Sequence, residues 1–178
     1  MADIDGDGKV DLVIPNSATS TVSIHRNTSV TGSVSGASFT SKVDFATGSI
    51  GLDYGGYSVI GDVDGDGKQD IVTSNALSNT ISVLRNTSTT GSISTGSFAA
   101  KVDFAVSSTG HPTLVDIDLD GKPEIVIPNG GGNTITVFRN ASTPGSISES
   151  SFLSKTDFVT GSNPYFVVFG DLDLDGKP

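Results

Sequence analysis

Short apolar stretches recur along the chain between polar, glycine-rich turns, and none keeps the three-to-four-residue spacing of an amphipathic helix. The pattern predicts a unit of four short strands. Strand A is the apolar run Tyr57 to Ile60, Pro112 to Val115 or Tyr165 to Phe169. An acidic stretch follows, then strand B at Leu12 to Ile14, Ile71-Val72 or Ile125 to Ile127. Strand C alternates apolar and polar positions, as in Thr80-Ile81-Ser82-Val83, the period of a half-buried strand. Strand D spans Phe39 to Phe45, Phe98 to Phe104 and Phe152 to Phe158, with Phe at each end and Lys and Asp between, a charged edge suited to an outermost strand. Gly, Ser and Asn fill the turns.

The unit repeats. "STVSIHRNTS" from Ser20, "NTISVLRNTS" from Asn79 and "NTITVFRNAS" from Asn133 are copies of one another, and the acidic stretch begins anew at Asp3, Asp62, Asp116 and Asp171. Four antiparallel strands at this period predict an all-β chain of β-propeller blades. The expected organisation is a single domain over 1–178 with repeats at about 3–61, 62–115 and 116–170 and a shortened fourth loop at 171–178. Counting strands gives three blade equivalents, cut between strands A and B. The pattern "YSVIGDVDGDGKQDIV" from Tyr57, with "VLRNTS" downstream, resembles the FG-GAP or VCBS repeat of integrin-α-like propellers. That resemblance implies calcium in the acidic loops and an extracellular or cell-surface setting in the parent protein.

The loops carry their own argument for a cation. Calcium loops take oxygen ligands from positions 1, 3, 5, a backbone carbonyl at 7 and a carboxylate at 9, with glycine at 6. Asp3, Asp5, Asp7, Lys9 and Asp11 fill those places, as do Asp62, Asp64, Asp66, Lys68 and Asp70, and Asp116, Asp118, Asp120, Lys122 and Glu124. The last loop offers Asp171, Asp173 and Asp175. Gly8, Gly67, Gly121 and Gly176 stand at position 6. Asp and Gly also make ordinary turns, but only Asp53 and Glu149 of the 20 acids lie outside these loops and the strand-D positions Asp44, Asp103 and Asp157. Acids so confined point to an ion, and hard oxygen donors without His or Cys favour calcium over zinc.

Composition narrows the function classes. The formal net charge of −10 opposes nucleic acid and anionic membrane surfaces. All ten basic residues belong to the repeat, at the loop lysines, Arg26, Arg85, Arg139, Lys42, Lys101 and Lys155, which leaves no basic patch for phosphate. There is no cysteine and no long apolar run, and the segment from Met1 lacks the basic and apolar parts of a signal peptide. The Asn-x-Ser triplets at Asn27, Asn86 and Asn140 read as turn chemistry.

Length variation is confined to the connection from strand D to the next strand A, where recognition is commonly grafted onto a rigid scaffold. In a propeller this connection shares a face with the B–C turns, opposite the acidic loops. Asp53, Tyr54, His111 and Tyr165 are the candidate ligand residues there, a carboxylate and rings that suit a glycan or a protein surface. Tyr57 reads as core. No nucleophile elbow or phosphate loop is present, so the expectation is a non-catalytic recognition module. A purely structural or designed repeat, and the propeller domain of a polysaccharide-degrading enzyme, are the alternatives. Three blades fall short of the usual four to eight, so a homodimer closing a six-bladed ring is expected.

Overall fold

The computed structural model describes residues 2–51, 56–152 and 155–178. Among these residues eleven strands form three antiparallel sheets. The first holds β1 (Leu12–Asn16), β2 (Thr21–His25) and β3 (Val43–Ala46) in that order. The second holds β4 (Ser58–Gly61), β5 (Asp70–Asn75), β6 (Thr80–Leu84) and β7 (Val102–Ala105). The third repeats it with β8 (Thr113–Val115), β9 (Glu124–Asn129), β10 (Thr134–Phe138) and β11 (Thr156–Val159). Each is a simple meander, so the predicted strands A, B, C and D appear in sequence order.

Alternation along β6 and β10 gives each sheet two usable faces, and the core forms between sheets. One cluster joins the first and second sheets through Ile4, Val22, Ile24, Phe45, Ile71 and Phe98. The other joins the second and third through Val72, Ile81, Val83, Phe104, Ile125 and Phe152. Edge-to-face ring pairs repeat at both junctions: Phe45 on Phe98 at 4.8 Å and Phe104 on Phe152 at 5.0 Å between centroids. The central strands β5 and β9 are buried along their whole length.

Two expectations are corrected. Strand D is ordered as a ladder only in its second half, because its first Phe leaves the sheet. Phe39, Phe98 and Phe152 instead make isolated bridges to Asn27, Asn86 and Asn140, which frees the Phe98 and Phe152 rings to reach the neighbouring sheet. Tyr165 to Phe169 forms no strand, because among the described residues no ladder of backbone hydrogen bonds forms along it. It runs along the start of β8 by isolated contacts, His111 N donating to Tyr165 O at 3.3 Å and Thr113 Oγ1 to Val167 O at 3.4 Å. Among the described residues one 3-10 turn, at Gly130–Gly132, interrupts an otherwise helix-free pattern.

Candidate metal centres and a polar cleft

The acidic loops are all built on one hydrogen-bond scheme, and the second and third join strand A to strand B. In the second loop Asp66 N donates to Asp62 Oδ1 and to Asp64 Oδ1, both at 3.1 Å, Gly67 N to Asp62 Oδ2 at 2.8 Å and Lys68 N to Asp66 Oδ1 at 2.9 Å. The same four bonds recur at Asp7, Gly8 and Lys9, at Asp120, Gly121 and Lys122, and at Asp175, Gly176 and Lys177. The backbone amides thus hold the carboxylates of positions 1, 3 and 5 turned inward. Gly67 at φ +87° and Gly121 at φ +89° explain glycine at position 6. Position 4 is also left-handed, at Gly6 and Gly65 but equally at Leu119 (φ +61°) and Leu174 (φ +62°).

Carboxylate oxygens converge within 4.8 Å of one another in four groups. They are Asp3 with Asp5 and Asp11, Asp62 with Asp64 and Asp66, Asp116 with Asp118 and Glu124, and Asp171 with Asp173 and Asp175. Position 9 has a further task. Asp70 accepts from Val63 N at 2.9 Å and from Asn86 N at 2.8 Å, and Asp11 and Glu124 repeat this with Ile4 and Asn27, and with Ile117 and Asn140. It therefore ties the loop to the turn after strand C. The lysines of position 7 extend away. Lys68 Nζ donates to Ser88 O and Lys122 Nζ to Ser142 O.

Crowding shows in the electrostatics. Burial, the main cause, pushes Asp70 up to about 7 against two opposing backbone hydrogen bonds. Asp64 and Asp11 are raised as well, first by burial and then, among lesser causes, by neighbouring aspartates. Arginine answers part of this. Arg26 meets Asp5 Oδ2 and Asp7 Oδ2, each at 2.5 Å, and Arg139 Nε meets Asp118 Oδ2 at 3.2 Å. Asp64 has no such partner among the described residues: it is fully buried and its Oδ2 makes no hydrogen bond. A buried, unpaired carboxylate oxygen facing two more carboxylates is a donor set that fits a hard divalent cation. The arginine pairings were not foreseen from the sequence, although Arg recurs at one place in every repeat.

At the opposite end of the sheets a cleft of about 600 Å³ opens between the second and third sheets. Leu77 and Asn79 of one B–C turn, Ser108 and Thr109 of the connection from β7 to β8, and Asn163 and Tyr165 line it. Tyr165, predicted for this face, contributes an exposed ring. His111 lies beside the cleft, stacked on Tyr57 at 3.4 Å between centroids and near Tyr165 and Phe166 at 5.1 and 5.4 Å. Tyr57 and Tyr165 join their hydroxyls, so Tyr57 is half-buried in this cluster. Burial holds the His111 imidazole below its ordinary value of 6.5. Asp53 and Tyr54 lie outside the described residues.

Compared with known families, the chain matches the model of the FG-GAP-like repeat three times, over residues 3–73, 62–127 and 116–178. Neither the curated proteins nor the solved structures give a match.

Proposed function

Because the chain belongs to the FG-GAP-like repeat family, we propose that it is a non-catalytic, calcium-binding β-propeller module that works in extracellular recognition. The three sheets serve as blades, and the acidic loops lie at one end of them. The observation that carries the reading is Asp64 Oδ2, buried without a partner among Asp62 and Asp66. Folding otherwise leaves that oxygen desolvated, at a cost of several kcal/mol that backbone hydrogen bonds to the carboxylate offset only in part. Asp62, Asp64 and Asp66, with the Lys68 carbonyl and Asp70 beside them, would hold the ion, and the other loops would do so through the corresponding residues. Bound calcium supplies charge neutralisation, and part of its binding energy becomes folding energy.

The recognition surface in this reading is the cleft between the second and third sheets. Among its described residues no side chain is charged; hydroxyls and amides from Ser108, Thr109, Asn79 and Asn163 sit beside the exposed faces of Leu77 and Tyr165. Uncharged donors and acceptors next to an apolar platform suit a neutral glycan. Calorimetric titration with calcium chloride tests the metal reading: saturable binding is expected, weakened by Asp64→Asn. A glycan array probed with the labelled protein tests the ligand reading, with Tyr165→Ala expected to abolish the signal. Heat-silent titration overturns the first reading, and an array with no Tyr165-dependent signal overturns the second.

A further inference from the structure

The first and second acidic loops share one backbone and one kind of cover, yet their buried carboxylates are satisfied differently. A turn of the next sheet lies over each. Thr90 packs on Gly6 and Gly91 N donates to Asp5 O over the first loop, and Pro144 packs on Gly65 over the second. Asp5 and Asp64, the two residues at position 3, are both buried, and each accepts through Oδ1 from the amide two residues on. Beyond that they part. Asp5 Oδ2 accepts from Arg26 Nε and Asp7 Oδ2 from Arg26 Nη2, whereas Asp64 Oδ2 accepts no hydrogen bond.

The difference lies in the arginine that follows strand C. Arg26 sits beneath the covering turn, its Nη2 3.4 Å from the place a Cβ on Gly91 would take. Gly145 is the corresponding glycine over the second loop, and there no atom beyond the adjoining residues lies within 4 Å of that place. Arg85 makes no ion pair among the described residues. Lys68 is no substitute, because its Nζ turns to Ser88 O. The convergent carboxylates differ accordingly. The second loop gathers Asp62, Asp64 and Asp66, while in the first Asp7 is held by Arg26 and the group is Asp3, Asp5 and Asp11.

We propose, resting on the calcium reading above, that Arg26 is a built-in counter-cation: the second loop takes the divalent ion first, and the first loop takes one only by displacing the guanidinium. Arginine stays charged at any working pH, and its planar fork holds both carboxylates at once. Such charge-assisted bonds are strong in a buried setting. The apparent affinity of the first loop therefore falls by the fraction of molecules in which Arg26 leaves it open. In the second loop the ion meets an unsatisfied oxygen and displaces nothing. Calcium then acts chiefly on one junction. Val63, between Asp62 and Asp64, accepts from Asn140 Nδ2 and Ser142 Oγ of the third sheet. Filling the second loop thus fastens the second sheet to the third, at the junction that also carries the cleft. Ile4 O takes the matching bonds from Asn86 and Ser88, and Arg26 fixes that loop without metal.

Hydrogen exchange of the intact chain in chelator and in calcium, read by mass spectrometry, tests this, with calorimetry on the same samples to measure binding. In calcium at about ten times the dissociation constant of the tightest loop, amides of 62–68 and 143–146 are expected to exchange about tenfold more slowly than in chelator. Those of 3–9 and 89–92 are expected to change by less than about twofold. Arg26→Gln is expected to speed exchange at 3–9 and 89–92 in chelator, and calcium then to slow it again. Arg85→Gln leaves both junctions as in the parent. Saturable binding heat with equal changes at the two junctions of the parent, or with an Arg26→Gln variant that exchanges as the parent does, overturns this proposal and leaves the calcium reading standing. A titration without heat overturns both. The comparison of junctions within the parent decides the matter even where Arg26→Gln does not fold.

Discussion

Asn140 of the third sheet donates through Nδ2 to Val63 O, in the acidic loop of the second sheet, at 2.8 Å. The same side chain donates to Pro123 O and accepts from Ser142 N, so its amide is saturated inside the protein. Ser142 Oγ adds a second bond to Val63 O at 3.2 Å. Asn86 and Ser88 repeat the arrangement on Ile4 O. Each acidic loop that is covered by a following sheet is therefore held from two directions, by its own carboxylates and by this asparagine.

Asn140→Ala removes two N–H donors, leaving Pro123 O without this bond and Val63 O with that from Ser142 Oγ alone, an expected loss of about 2 kcal/mol. Asn27→Ala removes an exposed bond to Val10 O and the acceptor for Ser29 N, without any bond across a sheet junction, and costs about 1 kcal/mol. Urea melts of the two variants measure the difference, and equal losses would show that the cross-sheet bond adds nothing.

Leu119 adopts φ +61° at a position where the first two loops have glycine, and its side chain is exposed. Left-handed backbone costs a non-glycine residue roughly 1–2 kcal/mol, partly offset by the greater chain entropy glycine brings to the unfolded state. Leu119→Gly is expected to stabilise by a few tenths to about 1 kcal/mol. Gly121→Ala, at φ +89°, is expected to destabilise by at least as much. Thermal melts in calcium read both signs.

His111 gives the fold a pH dependence at the cleft. Its pKa is lowered by burial, so the folded state binds the proton more weakly than the unfolded chain. The corresponding stability is full above about 6.5 and declines as pH falls below it. Asp70, raised to about 7, works in the opposite sense in metal-free protein, so the comparison belongs in saturating calcium. His111→Phe, which copies Phe166 at the matching place in the repeat, is expected to flatten the decline between pH 7 and 5. A variant with the parent's pH profile would remove His111 as the cause.

The strands and their order were legible because period-two alternation is local and the repeat supplies three readings of each element. The convergence of the loop carboxylates was equally legible, since their spacing reflects one compact turn. What escaped depends on distant partners. Tyr165 to Phe169 has the apolar pattern of a strand, yet a strand exists only where a neighbour completes its hydrogen bonds, and pattern alone does not reveal whether one is present. Phe98 and Phe152 read as strand residues but serve the junction between sheets. The arginine contacts to Asp5 and Asp118 link positions separated by two strands, and Leu119 hides its left-handed backbone behind an unremarkable side chain.

The central claim is that the acidic loops take up calcium and that this uptake holds the fold together. The direct measurement is the melting temperature of the intact chain with excess calcium and with excess chelator. A site held at a hundred times its dissociation constant contributes about 2.7 kcal/mol, and each kcal/mol moves the melt of a chain this size by roughly 2–4 °C. Three filled loops predict a rise of more than about 10 °C in calcium, diminished by Asp64→Asn. Superimposable melts in calcium and chelator would contradict the account.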